Sequence, residues 1–387
     1  MPPPVDAHAP AKSSTNTTSR VSRISRYRGL AFVAGLFVVL LLGMQIHGMP
    51  LRFSLSNFLE RYAVVGIQSI AYSLILAAIG MPNEVFAPMK KRYREGPLRL
   101  VILGLLGALF FYLHPPFAAA VFLLVSIGIL EAYDRGIPAR TLTRPLLPAI
   151  YLFVGLITVF GFNAYIVTIR TANYSSIVAT LDSYLLFGHS VSELSHRFCA
   201  SVPHAITTVL MVSYFALFAQ IGACLLITSL KIGREEGIRF VSTILFAYLI
   251  TMLIFAAFPT FSPYFTCADH QQAKLPQTVM EAQQGLMQQL RLRQHHVNLP
   301  IDTEYYVAFP CMHIAQPLIV LWFLRKWRRI LAVLIVVDTI LAAAIVLLEW
   351  HYVADLLGGA VVAGIAILSI AQLPDWAEGN RHPSKLT

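Results

Sequence analysis

Ten long apolar runs dominate the chain of 387 residues, near 30–46, 62–80, 99–113, 116–131, 146–167, 204–228, 240–258, 310–324, 330–349 and 354–372. A hydrocarbon core about 30 Å thick takes about 20 residues of helix to cross. Inside it every backbone N–H and C=O must be paired, which leaves only helices or closed barrels. The runs predict an all-α integral membrane protein of about ten transmembrane helices. Composition agrees: 57% of residues are hydrophobic and 12% charged, where soluble domains carry roughly a quarter charged residues. An ordinary soluble enzyme and a disordered chain are both excluded. Four cysteines in this length also exclude a disulfide-stapled scaffold. The third and fourth runs share one apolar stretch broken by His114, Pro115 and Pro116. A re-entrant hairpin is an alternative there, and it leaves the other orientations unchanged.

A formal net charge of +10 suggests a nucleic-acid partner until the basic residues are placed. With a cytoplasmic N-terminus and alternating spans, cytoplasmic segments hold 22 of the 29 Lys and Arg, including the clusters at 90–99, 231–239 and 325–329. The opposite side keeps Arg52, Arg61, Arg170, Arg197, Lys274, Arg291 and Arg293. This is the positive-inside bias, so the charge reports topology and no nucleic acid is expected. Both termini are expected in the cytoplasm, and the other face is periplasmic, extracytoplasmic or luminal. The expected organisation is a disordered tail 1–28, an N-terminal four-helix membrane region 29–145, a six-helix core 146–372 with a long outer loop 259–309, and a tail 373–387. The first run has no small-residue cleavage site and reads as a retained anchor. A helical stretch is expected from Pro276 to Gln294. Ten of the twelve His fall at or beyond the outer boundary.

Two of those histidines stand in specific surroundings. His313 closes Phe309-Pro310-Cys311-Met312-His313 where one run enters the membrane, and His351 lies in Glu349-Trp350-His351-Tyr352-Val353-Ala354-Asp355 between two others. A short basic turn at 325–329 joins the intervening runs, so both segments reach the same surface. His351 and Asp355 are four apart and share a face if the turn between them is helical. A carboxylate there fixes the imidazole tautomer and raises the basicity of its other nitrogen. The second His is then available to protonate a leaving group. Zinc held by His313, His351 and Asp355 is the chemical alternative. It is disfavoured because no H-E-x-x-H helix or Cys-x-x-Cys pair is present and Cys311 and His313 are only two apart. No metal or cofactor is expected.

These two segments, joined by helix, basic turn and helix, resemble the type 2 phosphatidic acid phosphatase superfamily. The branch most similar is that of inositol phosphorylceramide synthases, with its P-S-x-H and H-Y-x-x-D motifs. Asp182-x-x-Leu185-x-Phe187-Gly188 and Phe258-Pro259-Thr260-Phe261-Ser262-Pro263 look like two upstream regions of that branch. The resemblance covers about 146–372 and implies a six-helix core. It makes His351 the nucleophile that forms a phosphohistidine, Asp355 its orienting partner and His313 the general acid. Cys311, Asp182, Arg197, Ser262 and Tyr352 become candidates for substrate or phosphate contact. Cys311 departs from the pattern, which has Ser there, and a thiol is the weaker donor. Ile345 stands where other branches carry an Arg.

The implied activity is a metal-independent lipid-phosphate phosphohydrolase, or a head-group phosphotransferase acting in sphingolipid metabolism. Its partners are membrane lipids, a lipid phosphate substrate and, for a transferase, an alcohol head-group acceptor. The rival is a catalytically inactive lipid-binding protein or a transporter on the same scaffold. A transporter places polar residues in mid-span, and Asp338 is the exception that invites that reading. Cys199 and Cys267 both face the outer side and are the one pair placed to form a disulfide, against the alternative of two small buried hydrophobes.

Overall fold

The computed structural model describes residues 144–170, 172–266, 275–295 and 305–371, with Gly35 and Val38 in isolation. The first four apolar runs, both tails and Cys267 lie outside the described residues. Within those residues the chain is all-helical, without strands. The helices are α1 Leu146–Ile169, α2 Ser175–Leu185, α3 Val191–Ser201, α4 His204–Ile227, α5 Arg234–Ala257, the single turn α6 Pro263–Thr266, α7 Gln277–Gln294, α8 Met312–Leu324, α9 Arg328–Leu347 and α10 Val353–Ala371. A π-helical turn, Thr228–Ile232, extends α4.

Five of these, α1, α4 with its π turn, α5, α9 and α10, are long and apolar enough to cross a membrane, and α8 is a shorter apolar helix. The chain is a multi-pass membrane protein. The six coincide with the last six apolar runs. Where α5 begins six residues before its run, Glu235 and Glu236 stand in its first turn, where the positive end of the helix dipole stabilises acids. α7 matches the expected helical stretch. α2 and α3 were not foreseen, because eleven residues with one apolar face give too little periodic signal.

Alternation of the spans sets two ends. The ends of α1, α5 and α9 and the starts of α4, α8 and α10 share one, hereafter the site end. α2, α3, α6 and α7 lie in the connections there. The other end carries Arg144, Lys231, Arg234, Arg325, Lys326, Arg328 and Arg329. α8 is central: it packs against α4, α5, α9 and α10. Its Ala315, Ile319, Val320 and Leu324 have no exposed surface. Asp338 of α9 accepts a 2.7 Å bond from Gln220 of α4. This is interhelical polar glue of the kind membrane bundles use. Cys199 is a buried free thiol whose Sγ lies 3.9 Å from the Leu347 carbonyl, and the partner expected for it, Cys267, lies outside the described residues.

The approach of α10 to α8 is closest at Gly358 and Gly359. A Cβ on Gly359 would overlap the backbone carbonyl of Cys311, whereas one on Gly358 would meet the Phe309 ring edge. A ring can turn aside and a backbone carbonyl cannot. Gly359→Ala is therefore expected to destabilise the bundle by about 1–3 kcal/mol, the usual cost of overpacking, and Gly358→Ala by less. Thermal unfolding in detergent reads the difference, and equal midpoints for both variants would refute the backbone contact.

Candidate active site

The site end is held by bonds between segments far apart in sequence. Ser175, which opens α2, donates its hydroxyl to the Phe261 carbonyl at 3.2 Å and accepts the Phe261 N–H at 2.7 Å. Thr260 accepts the N–H of Phe309 on its hydroxyl at 3.0 Å and that of Ala308 on its carbonyl at 3.0 Å. Asn163 of α1 accepts the N–H of Tyr306 at 3.0 Å. Residues 305–310 thus run across the bundle with backbone groups paired, as burial requires. Cys311 then donates its N–H to the carbonyl of Asp355 at 3.1 Å, which joins the start of α8 to the first turn of α10.

His351 sits in the tight reversal between α9 and α10. Glu349 adopts a left-handed φ of 62°, uncommon for a residue other than glycine. The His351 N–H turns back to the Ile345 carbonyl at 2.9 Å. The imidazole, 2% exposed, has its Nδ1 3.0 Å from the Ala308 carbonyl and 3.3 Å from Oδ2 of Asp355. Both neighbours are acceptors, so Nδ1 carries the proton and Nε2 carries the lone pair. Asp355 is itself oriented by the Tyr352 N–H, 2.9 Å from Oδ2.

Nε2 of His351 lies 2.9 Å from Nδ1 of His313. Since Nε2 is the acceptor, His313 donates. The Nε2 lone pair is therefore covered by the N–H of the other histidine, and any group that is to bond to it must part the two rings. His313 is backed by an aromatic stack: its ring lies 4.8 Å from that of Tyr214 in α4, which in turn stacks on Trp350 at 5.1 Å. Pro317, four residues on in α8, has no N–H for the His313 carbonyl, so that carbonyl lacks its usual helical donor.

Cys311 completes the cluster. It has no exposed surface, and one donor atom from each of Cys311, His313 and His351 falls within a 4.8 Å sphere of mutual separation. The close sequence spacing of Cys311 and His313 does not keep them apart, because Cys311 precedes α8 in extended backbone, with φ −77° and ψ 111°. One sulfur and two nitrogens are zinc-type ligands, and this set differs from the His313, His351 and Asp355 trio considered from sequence. Burial, and then the Asp355 charge, pushes the Cys311 thiol well above its ordinary range. A metal would have to displace that proton. The N–H groups of His313 and Ile314 face Cys311, which places the thiol on the N-terminus of α8, a position suited to anions.

The other sequence candidates are distributed around this cluster. Asp182, 1% exposed, accepts the Val353 N–H at 2.8 Å on one oxygen and the Ala354 N–H at 2.7 Å on the other. Burial raises its carboxyl and these two amides pull it back down. Tyr352 is buried against Val191 and Ala308. Ser262 is hydrogen-bonded to Tyr264. Arg197 is on the exposed side of α3, paired with Glu193. Among the described residues neither Ser262 nor Arg197 bonds to the histidine pair. Sequence reasoning missed Ala308, Tyr214 and Thr260. A backbone carbonyl and a mid-helix Tyr carry no motif, and Thr260 is one letter within a weak one.

Burial lowers the pKa of His351 to about 4, opposed in part by the bond to Ala308. A lowered value means that the neutral form persists as the pH falls through the ordinary range near 6.5. Nitrogen-15 NMR of labelled histidine should show His351 as a single Nδ1–H tautomer from pH 8 to about 5, with protonation at about 4. A midpoint near 6.5 would mean that water reaches Nε2 and that the burial argument fails.

A family model described as the PAP2 superfamily matches residues 176–369, half of the chain. No curated protein and no solved structure matches it.

Proposed function

The chain belongs to the PAP2 superfamily, and from that premise we propose a membrane-embedded lipid-phosphate phosphohydrolase or head-group phosphotransferase that works through a phosphohistidine on His351. Membership supports a lipid-phosphatase-type activity. The observation that carries the finer reading is the His351 imidazole, held at Nδ1 by Ala308 and Asp355 with Nε2 facing His313. One nitrogen is oriented and the other is presented to a proton donor, the arrangement of an activated nucleophile.

In the first step Nε2 of His351 attacks phosphorus in line. The N–P bond forms, the P–O bond to the lipid alcohol breaks, and His313 gives its proton to the leaving oxygen. In the second step water or an alcohol attacks phosphorus, His313 takes the proton, and the N–P electron pair returns to Nε2. Water as acceptor gives a phosphatase, and a head-group alcohol such as inositol gives a transferase. Charge on the equatorial oxygens needs preorganised donors. Two helix N-termini meet at the site, and Asp182 already occupies that of α10. The α8 N-terminus, with its amides and the Cys311 thiol, remains for the phosphate. Asp182 on this reading holds α10 in place and does not touch substrate, since a carboxylate repels phosphate. No step needs a metal. The surplus of basic residues at the other end supports a site on the extracytoplasmic or luminal face, with cytoplasmic termini.

Purified chain in proteoliposomes, given a panel of lipid phosphates without metal, is expected to release phosphate. His351→Ala and His313→Ala should each lower turnover by about a hundredfold or more, the scale of acid–base and nucleophilic groups. Asp355→Asn should cost less than His351→Ala. Full activity in either histidine variant would refute the assignment. Adding inositol or another alcohol separates transfer from hydrolysis. EDTA should leave the rate unchanged, and loss restored by zinc would instead favour a metal on Cys311, His313 and His351.

Asp182→Asn should lower kcat by about tenfold or more with KM within about threefold, because an amide offers one acceptor and turns its NH2 toward the second N–H. A rise in KM at constant kcat would return Asp182 to the substrate contacts.

A further inference from the structure

Helix α2 has three distinct faces. Asp182 and Ser175 turn inward and bond to α10 and to the 259–263 segment. Ser176 and Thr180 lie on an exposed polar arc. Ile177, Leu181, Tyr184 and Leu185 recur at spacings of four, three and one, which is one helix face, and all four are exposed. Phe187 follows in a left-handed turn with φ 55° and is 95% exposed. Its backbone conformation is an unfavourable one for a bulky side chain, and it leaves the ring almost wholly exposed just past the apolar arc. No Lys, Arg or Glu stands on α2, and its one acid is the buried Asp182.

A contiguous apolar face on a wet surface marks a contact with something. Its occupant follows from what the face adjoins. α2 packs on the start of α10, and Leu357, Val361, Ile365 and Leu368 are exposed along one side of α10 at spacings of three and four. α10 is one of the spans, so that stripe is a lipid-facing surface, and α2 is bonded to the end of α10 from which the stripe starts. At the other end of α2, Tyr174 meets Phe258, exposed where the span α5 ends, with ring centroids 5.7 Å apart. The face is thus bounded by the ends of two spans. Serine and threonine hydroxyls on the neighbouring arc suit the head-group layer, and Tyr184 is the residue type enriched at that depth.

We propose that α2 is an interfacial helix, with Ile177, Leu181, Tyr184, Leu185 and Phe187 seated against the acyl chains of the bilayer leaflet at the site end. Its inner face caps α10 through Asp182 while its outer face lies in lipid, so a single helix ties the depth of the membrane to the position of His351. Where the proposed phosphotransfer holds, a lipid phosphate moving along the α10 stripe brings its tails to α2 and its head group to the level of the histidines.

The test uses full chain in nanodiscs whose phosphatidylcholine carries brominated acyl chains, with Phe187→Trp set against the unsubstituted chain to subtract the native tryptophans. Position 187 is exposed, so the substitution leaves packing intact. The added emission should be quenched about twofold or more by bromine and little by aqueous acrylamide, as for an indole at the acyl boundary. Quenching by acrylamide without bromine would overturn the proposal in favour of a wet surface. Protection from both, in a chain that is dimeric, would overturn it in favour of a second copy. A second arm measures Leu181→Glu. It should lower the ratio of kcat/KM for long-chain over short-chain, water-soluble phosphate esters by about tenfold, a difference of about 1.4 kcal/mol. An unchanged ratio would remove α2 from substrate docking. If no variant and no parent chain releases phosphate, the proposed activity fails while the quenching result still decides where α2 lies.

Discussion

The site depends on how closely α10 can approach α8. Gly359 lets the two backbones meet at the Cys311 carbonyl, and the Cys311 N–H bonds to Asp355 in the same place. Everything reactive is within one turn of that junction. His313 is two residues after Cys311 on one helix, and His351 is four before Asp355 at the head of the other. A wider helix separation would move the rings apart by the same amount, and their 2.9 Å contact would be lost. A missing side chain therefore sets the histidine geometry as firmly as any side chain present.

A second layer of control comes from backbone groups that would otherwise be buried without partners. Asp182 takes the first amides of α10, Thr260 takes those of residues 308 and 309, and the Ala308 carbonyl takes the proton of His351. Each bond satisfies a group that is expensive to leave unpaired, and each also fixes one coordinate of the imidazole. The upstream segments that resemble family motifs act on this view through the skeleton of the site. Tyr214 adds a stacked ring behind His313 and joins it to α4.

Much of this was legible in the sequence, for physical reasons that differ by feature. The five described spans and the shorter α8 announced themselves as apolar runs because lipid demands apolar helices. The meeting of His313 with His351 followed from topology, since a short turn at 325–329 obliges both segments to return to one surface. What stayed hidden depends on folding across distance. Nothing in the text of residues 175–188 shows that Asp182 bonds to amides 171 positions away, and acidic residues near a phosphate motif invite a substrate role. Arg197 looked available as a cation, but the helix it stands on sets Glu193 one turn away. Cys311 and His313 looked too close in sequence for one ligand sphere, and the extended backbone at Cys311 that brings the sulfur to the histidines is not readable from spacing.

The shortness of α8 bears on how the protein is made. Thirteen residues of helix span about 20 Å, less than the hydrocarbon thickness, and a segment of 10–14 apolar residues is a poor membrane span by itself. Its stability comes from α4, α5, α9 and α10, which enclose it. During synthesis α9 and α10 emerge after it, so the helix that carries His313 has no complete binding groove until α10 is in place. The contact between His313 and His351 therefore waits on α10, and a nascent chain that has made both histidines but not yet inserted α10 holds them apart.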